Sequence, residues 1–180
     1  MKEESNKLIY HIPNELFAPS AHKQLEGLFE IKTIKGLFDS YHLKGPISYK
    51  ISITNTGDAF LFAGTATAEA TTACSRCLEE MDINLQASID AFYLIEKPDN
   101  YKDEEINEFE ILPEDHNIDL GEIVIATLIV DAPEKPLCDE DCKGLCSQCG
   151  TNLNLEPCNC SNLNPKNSAF DVLKDFKVES

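Results

Sequence analysis

Eight cysteines fall in four close pairs, Cys74/Cys77, Cys138/Cys142, Cys146/Cys149 and Cys158/Cys160. Thiols grouped in this way have three chemical uses. Disulfides are the first, but they belong to oxidising compartments. The start, Met1-Lys2-Glu3-Glu4-Ser5-Asn6, leads into no long apolar segment, so no secretory signal is expected. A redox pair is the second, and it needs a Cys-x-x-Cys that opens a helix after a strand. Here one pair joins two strand-like segments and another lies in a loop rich in Gly and Asn. The third use is metal binding. A two-residue gap lets both sulfurs of a tight turn face one ion, and two such pairs complete the tetrahedron that zinc prefers.

Eight thiolates suit two ions. Cys146, Cys149, Cys158 and Cys160 are close enough in sequence to close on themselves as a zinc-ribbon-like module. Cys74 and Cys77 then meet Cys138 and Cys142 across the fold. The competing partition pairs Cys74 and Cys77 with Cys146 and Cys149, and the tight Cys158-x-Cys160 spacing leaves room for one spectator. Gly150, directly after Cys149, is free to turn backbone N–H groups toward sulfur. A site filled by four sulfurs has no open position for water, so the expected role of the metal is structural.

Other chemistry is sparse. His11, His22, His42 and His116 show no motif spacing, and ordinary core or surface placement is expected for each. Gly-rich phosphate loops, His-Glu-x-x-His and Gly-x-Ser-x-Gly are absent from the sequence, and an enzyme is not expected. Arg76 is the only arginine and lies inside the first cysteine pair. It is read either as a charge partner for a thiolate site or as a bidentate contact to phosphate or carboxylate.

The elements that must position these groups follow from periodicity. Ile47, Tyr49, Ile51 and Ile53 alternate with polar residues, the two-residue period of a half-buried strand. Asn55-Thr56-Gly57-Asp58 is turn chemistry. A second strand is expected over Ala59–Ala73, with Gly64 as a bend or bulge. A third carries Met81, Ile83, Leu85, Ala87, Ile89, Ala91 and Tyr93 on one face. Asp119 with Glu122 has capping-box spacing and opens an almost wholly apolar, deeply packed helix that ends before Pro133. The first 45 residues give only short strands and a helix near Ala21–Phe29. A closing helical segment carries Phe170, Leu173 and Phe176. The expected class is α+β: an antiparallel β-meander or barrel-like sheet with one or two packed helices and a small C-terminal zinc-ribbon-like module. Residues 1–137 form the β-rich domain, with an acidic loop at 96–117 and a buried helix at 119–131. Residues 138–180 form the cysteine-rich module.

Charge is unevenly placed. The net charge is −17, and residues 96–141 hold three lysines against sixteen acids. That balance disfavours wrapping a phosphate backbone. The stretch is read either as a solvated loop or as a landing surface for a basic partner, with Glu104, Glu105, Glu108 and Glu110 as contacts. No apolar run approaches the length of a membrane helix, and a cytoplasmic address is expected.

Several stretches together resemble the YceD family of large-subunit ribosomal RNA accumulation proteins. Cys74-Ser75-Arg76-Cys77-Leu78-Glu79 resembles its Cys-x-Arg-Cys-Leu signature. The run from Pro136 through Cys138, Cys142, Gly144, Cys146, Cys149 and Gly150 to Asn154, followed by Cys158-Asn159-Cys160, resembles the C-terminal motif of many members. Asn167-Ser168-Ala169-Phe170-Asp171-Val172-Leu173 resembles the closing Asn/Asp-Pro-x-Phe-x-x-Leu segment, with Ser168 in place of the usual Pro. The resemblance covers about residues 45–176. It implies a metal-binding protein of the cytoplasm, or of plastids in plants, needed for large-subunit ribosomal RNA to accumulate and often encoded beside a small ribosomal protein. Two partner classes follow. One is a basic large-subunit ribosomal protein held on the acidic face. The other is ribosomal RNA contacted directly through Arg76 and Lys143.

Overall fold

Strand β5 (Ile47–Asn55) carries the alternation read from the sequence, with Ile47, Ile51 and Ile53 fully buried. It turns through Asn55–Asp58 into β6 (Ala59–Ala73). Gly57 takes a φ of +106° there and donates its N–H to Asn55 Oδ1 at 2.8 Å, while the Thr56 N–H reaches the Ala59 carbonyl. Asn55 is itself buried. Its amide nitrogen donates to the Leu16 carbonyl at 2.9 Å, so neither end of the side chain is orphaned. Strand β7 (Glu80–Leu94) pairs antiparallel with the whole of β6 and buries Leu85, Ala87 and Ile89.

This computed structural model describes residues 7–36, 39–96 and 110–160. The described elements also include β1 (Ile9–His11), a 3-10 turn (Asn14–Phe17), β2 (His22–Phe29), β3 (Thr33–Lys35), β4 (Ser40–Leu43), β8 (Glu110–Ile111), β9 (Asn117–Asp119) and α1 (Leu120–Asp131). One sheet runs in the order β2-β5-β6-β4-β3, with β7 on the other edge of β6 and β8 parallel to β7. Strands β1 and β9 form a separate antiparallel pair. The class is α+β, mostly antiparallel sheet with one helix among the described residues. None of the helices among the described residues is long and apolar enough to cross a membrane.

Three expectations are corrected. The segment Ala21–Phe29 is not helical: β2 pairs with β5 along its length, with Leu25 and Phe29 turned inward and Leu28 left 66% exposed. Gly64 is neither bend nor bulge, since pairing passes through it on both sides, to Ile51 and to Ile89. A Cβ there would collide with the Lys50 carbonyl, so the residue is glycine because two backbones approach closely. The acidic segment is not loop to its end, because β8, a turn through Pro113–His116 and β9 occupy its last part.

Asp119 caps α1, its carboxylate accepting from the Gly121 N–H at 3.0 Å and from the Leu8 N–H at 3.1 Å. The helix packs chiefly on β7 and buries Leu120, Ile123, Val124 and Leu128, while Val130 points to solvent. At its end the Asp131 carboxylate accepts the Ser88 N–H of β7 at 3.0 Å. The described residues divide into two compact units. One comprises the sheet and α1, up to Ala73 and from Glu80 to Pro136. The other joins Cys74–Glu79 to the chain from Leu137 onward. The closing segment with Phe170, Leu173 and Phe176 lies outside the described residues.

Candidate metal centres

The cysteine-rich unit is built on two turns of one design. In the first, the Cys74 N–H donates to the Glu79 carbonyl at 2.8 Å and the Leu78 N–H to the Cys74 carbonyl at 2.9 Å. In the second, the Cys146 N–H donates to the Thr151 carbonyl at 2.8 Å and the Gly150 N–H to the Cys146 carbonyl at 2.9 Å. Each turn closes by placing the residue after its second cysteine in the left-handed region, Leu78 at φ +61° and Gly150 at φ +75°. Such a turn brings both sulfurs of Cys-x-x-Cys to one side.

Each turn has a partner segment. Asp139 organises the first partner: its carboxylate accepts the Asp141 N–H at 2.8 Å and its carbonyl the Cys142 N–H at 3.0 Å. Arg76 ties the two together, its Nη1 donating to the carbonyls of Glu140 (3.1 Å) and Cys142 (2.9 Å). The Leu145 N–H returns to the Arg76 carbonyl at 3.1 Å. Gly144 makes that approach feasible. It takes φ +73°, and a Cβ would stand 3.0 Å from the Arg76 carbonyl oxygen.

Four sulfurs therefore meet twice. The ligand atoms of Cys74, Cys77, Cys138 and Cys142 lie within 4.8 Å of one another, and so do those of Cys146, Cys149, Cys158 and Cys160. Cys74 and Cys142 sulfurs are 3.8 Å apart, and Cys77 and Cys138 sulfurs 3.6 Å. Those separations far exceed a disulfide bond of about 2.05 Å. They match the edge of about 3.8 Å in a tetrahedron whose metal–sulfur bonds are about 2.3 Å. The donor set and its geometry fit a metal ion at each place. These are the two groupings favoured by the sequence, with Cys158 and Cys160 both included.

Hydrogen bonds prepare the sulfurs for negative charge. The Arg76 N–H points at Cys74 Sγ (3.4 Å), the Asn154 amide at Cys142 Sγ (3.3 Å), and the Thr151 hydroxyl lies 3.2 Å from Cys149 Sγ. Burial pushes the Cys74 thiol up, but backbone N–H groups of Cys77, Cys138 and Arg76 outweigh it and bring it down to about 6. Burial is likewise overcome at Cys142, by the Asn154 amide and the Gly144 N–H. The Thr151 hydroxyl and N–H hold Cys149 at about 6, and the N–H groups of Cys149 and Gln148 lower Cys146. The remaining sulfurs feel these neighbours as repulsion. Cys138 is pushed up to about 12, mainly by Cys142 and Cys77, and Cys160 to about 12, mainly by Cys149. At Cys77 the Glu79 N–H pulls down, yet burial and the Cys74 sulfur carry it up. At Cys158 the Cys160 N–H is overcome by the Cys146 sulfur. Each set thus has two sulfurs lowered by nearby N–H, amide or hydroxyl groups and two raised by their sulfur neighbours.

Asn154, Thr151 and Asn152 are part of this arrangement, and nothing in their types or spacing singles them out in the sequence. Asn154 also accepts the Lys143 N–H at 2.7 Å, and the Asn152 amide donates to the Glu79 carboxylate at 3.3 Å. The Lys143 side chain is exposed. Of the acidic contacts, Glu110 is exposed on β8 opposite Tyr93. Burial raises the Tyr93 hydroxyl, and Glu110 raises it further. Glu104, Glu105 and Glu108 lie outside the described residues.

Residues 62–177, from β6 through both cysteine sets, match the family described as "Large ribosomal RNA subunit accumulation protein YceD". The chain belongs to the YceD family. That description is of an accumulation factor for large-subunit ribosomal RNA and not of an enzyme. Among curated relatives, an uncharacterized protein of Mycobacterium leprae is 30% identical over 113 residues, covering 62% of this chain and 51% of the relative. Uncharacterized proteins of Mycobacterium bovis and Mycobacterium tuberculosis are each 32% identical over 108 residues, covering 59% of this chain and 51% of the relative. This YceD chain spans about half the length of the curated relatives it matches. No solved structure matches it.

Proposed function

We propose that this YceD protein is a non-catalytic cytoplasmic factor that supports accumulation of large-subunit ribosomal RNA by holding a basic ribosomal component on a zinc-stabilised scaffold. The observation that carries the reading is the closure of two four-sulfur sets. Thiolates at all four corners suit zinc and leave no position for an activated water, which makes the metal structural. On this reading β5, β6 and β7 act as a meander, and the chain folds as a β-rich domain of residues 1–137 and a zinc-ribbon-like module of residues 138–180. The module takes Cys74 and Cys77 as the other half of its first site. Elemental analysis of protein purified under reducing conditions is expected to find two zinc ions per chain. Metal-free protein of native fold would refute the scaffold.

The acidic stretch 96–141 supports the choice of a basic partner, since opposite charge steers association and like charge opposes it. Replacing Glu104, Glu105, Glu108 and Glu110 by Gln is expected to weaken binding to basic large-subunit proteins and to leave thermal stability unchanged. The alternative is direct contact with ribosomal RNA through Arg76 and Lys143, and it expects the reverse. Arg76→Ala and Lys143→Ala would then weaken RNA binding, and the Gln set would leave it unchanged or improve it. One observation weighs against that alternative: Arg76 Nη1 is already engaged by the carbonyls of Glu140 and Cys142. Binding of both variant sets to ribosomal proteins and to ribosomal RNA, measured side by side, separates the two.

A further inference from the structure

The two turns share the sequence Cys-Ser-x-Cys and differ at x, which is Arg76 in the first and Gln148 in the second. The backbone of that residue does the same work in both. The Arg76 N–H points at Cys74 Sγ at 3.4 Å, and the Gln148 N–H likewise serves Cys146. What differs is the side chain, and the distance along the chain to the second pair of sulfurs. Cys77 finds Cys138 61 residues on, whereas the second turn meets its partners across a short loop. A distant segment arrives with no short tether to set its angle or depth, so contacts on the first turn must set them.

Arg76 supplies those contacts. Its Nη1 donates to the carbonyls of Glu140 and Cys142, and its own carbonyl accepts the Leu145 N–H at 3.1 Å. The chain is thus held on both sides of Cys142. The arriving segment is one piece, because Asp139 closes it: the Asp141 N–H goes to its carboxylate and the Cys142 N–H to its carbonyl. Fixing the carbonyls of residues 140 and 142 therefore fixes Cys138 as well. Both sulfurs then stand against the first turn together, Cys142 beside Cys74 and Cys138 beside Cys77. At Gly144 an added Cβ would stand 3.3 Å from the Arg76 Cβ, so the arginine stem is itself closely fitted. Glutamine is neutral and shorter. Lysine keeps the charge, but as a point donor on a shorter stem in place of a planar guanidinium.

We infer that Arg76 is a positioning residue for the first four-sulfur set: its side chain seats Cys138 and Cys142 so that four sulfurs close on one ion, and so sets the affinity of that set for its metal. The inference rests on the metal-scaffold reading and gives Arg76 a role inside the chain. The test uses the full chain purified with its metal under reducing conditions. Its readouts are zinc release to a colorimetric chelator and the visible absorption of the cobalt-exchanged protein. Arg76→Gln, which makes the first turn read as the second, is expected to loosen one ion about 10–100-fold and to leave the other unchanged. Arg76→Lys is expected to fall between that variant and wild type. At saturating cobalt both variants should recover the wild-type thiolate absorption of two tetrahedral ions per chain, since no ligand has been removed. Four results would overturn the role: both ions held as in wild type in Arg76→Gln, both loosened equally, full wild-type affinity in Arg76→Lys, or absorption that stays short of two four-sulfur ions at saturation. Should Arg76→Gln fail to fold, Arg76→Lys decides, one loosened ion supporting the role and wild-type affinity overturning it. In each of these cases wild-type protein still holds its ions, and the scaffold reading stands. Wild-type protein that carries no metal would bring down the scaffold and this inference together.

Discussion

The two cysteine sets share one turn geometry and differ in how they close. Cys146 and Cys149 find their partners at Cys158 and Cys160, a few residues on. Cys74 and Cys77 find theirs at Cys138 and Cys142, after the chain has made β7, β8, β9 and α1. The backbone hydrogen bonds that close the two turns are the same, so they cannot be what distinguishes their contributions to stability. Loop length is. A cross-link between distant residues removes much conformational freedom from the unfolded chain, whereas one between near neighbours orders little beyond itself.

The largest expected effect follows from that contrast. Cys74→Ser should lower the stability of the whole chain by on the order of 4 kcal/mol, as for a cross-link closing a loop of this length. Cys146→Ser should leave unfolding of the sheet unshifted. Tyrosine fluorescence in urea reports the sheet, and equal midpoint shifts in the two variants would break the contrast. A smaller effect sharpens it. Asn154→Asp exchanges the amide that donates to Cys142 for a carboxylate, and metal affinity at the first set should fall by about 10–100-fold. Chelator competition should show one ion leaving early and the second unchanged. Loss of both ions together would mean that the sets are coupled. The smallest effect exchanges the turns' left-handed residues. Gly150→Leu should cost about 1–2 kcal/mol, while Leu78→Gly should cost nothing or stabilise by up to about 1 kcal/mol. Matching losses in the two would show that the turns are not equivalent.

Much of this is legible in the sequence. Where one face of a strand is buried and the other wet, the pattern appears residue by residue, as in Ile47–Ile53 and in β7. The turn at Gly57 and the cap at Asp119 depend on neighbours in sequence and could be read the same way. The cysteine partition was legible because close spacing in one set left the other four to pair across the fold. The failures have a common cause. In β2, Leu28 faces solvent beside inward Leu25 and Phe29, so the apolar residues fall at spacings of three and four that imitate a helix. Gly64 is explained only by the Lys50 backbone across the sheet. The pairing of β1 with β9 joins Ile9 to Asp119, and no local pattern announces a contact over that distance. Asn154 became a sulfur ligand's hydrogen-bond donor only when Cys142 was brought beside it.

The long-range closure of the first set also places its assembly in time. Cys74 and Cys77 sit at the tip of the β6–β7 hairpin, which can form as soon as β7 has been synthesised. Their partners emerge about 65 residues later, which at about 5–20 residues per second is a wait of several seconds. During that interval the nascent chain displays two paired thiols. On the proposed reading, metal capture is the last step in tying the early hairpin to Cys138 and Cys142. A cell short of that metal would accumulate molecules whose first hairpin is paired and whose long loop has never been shut.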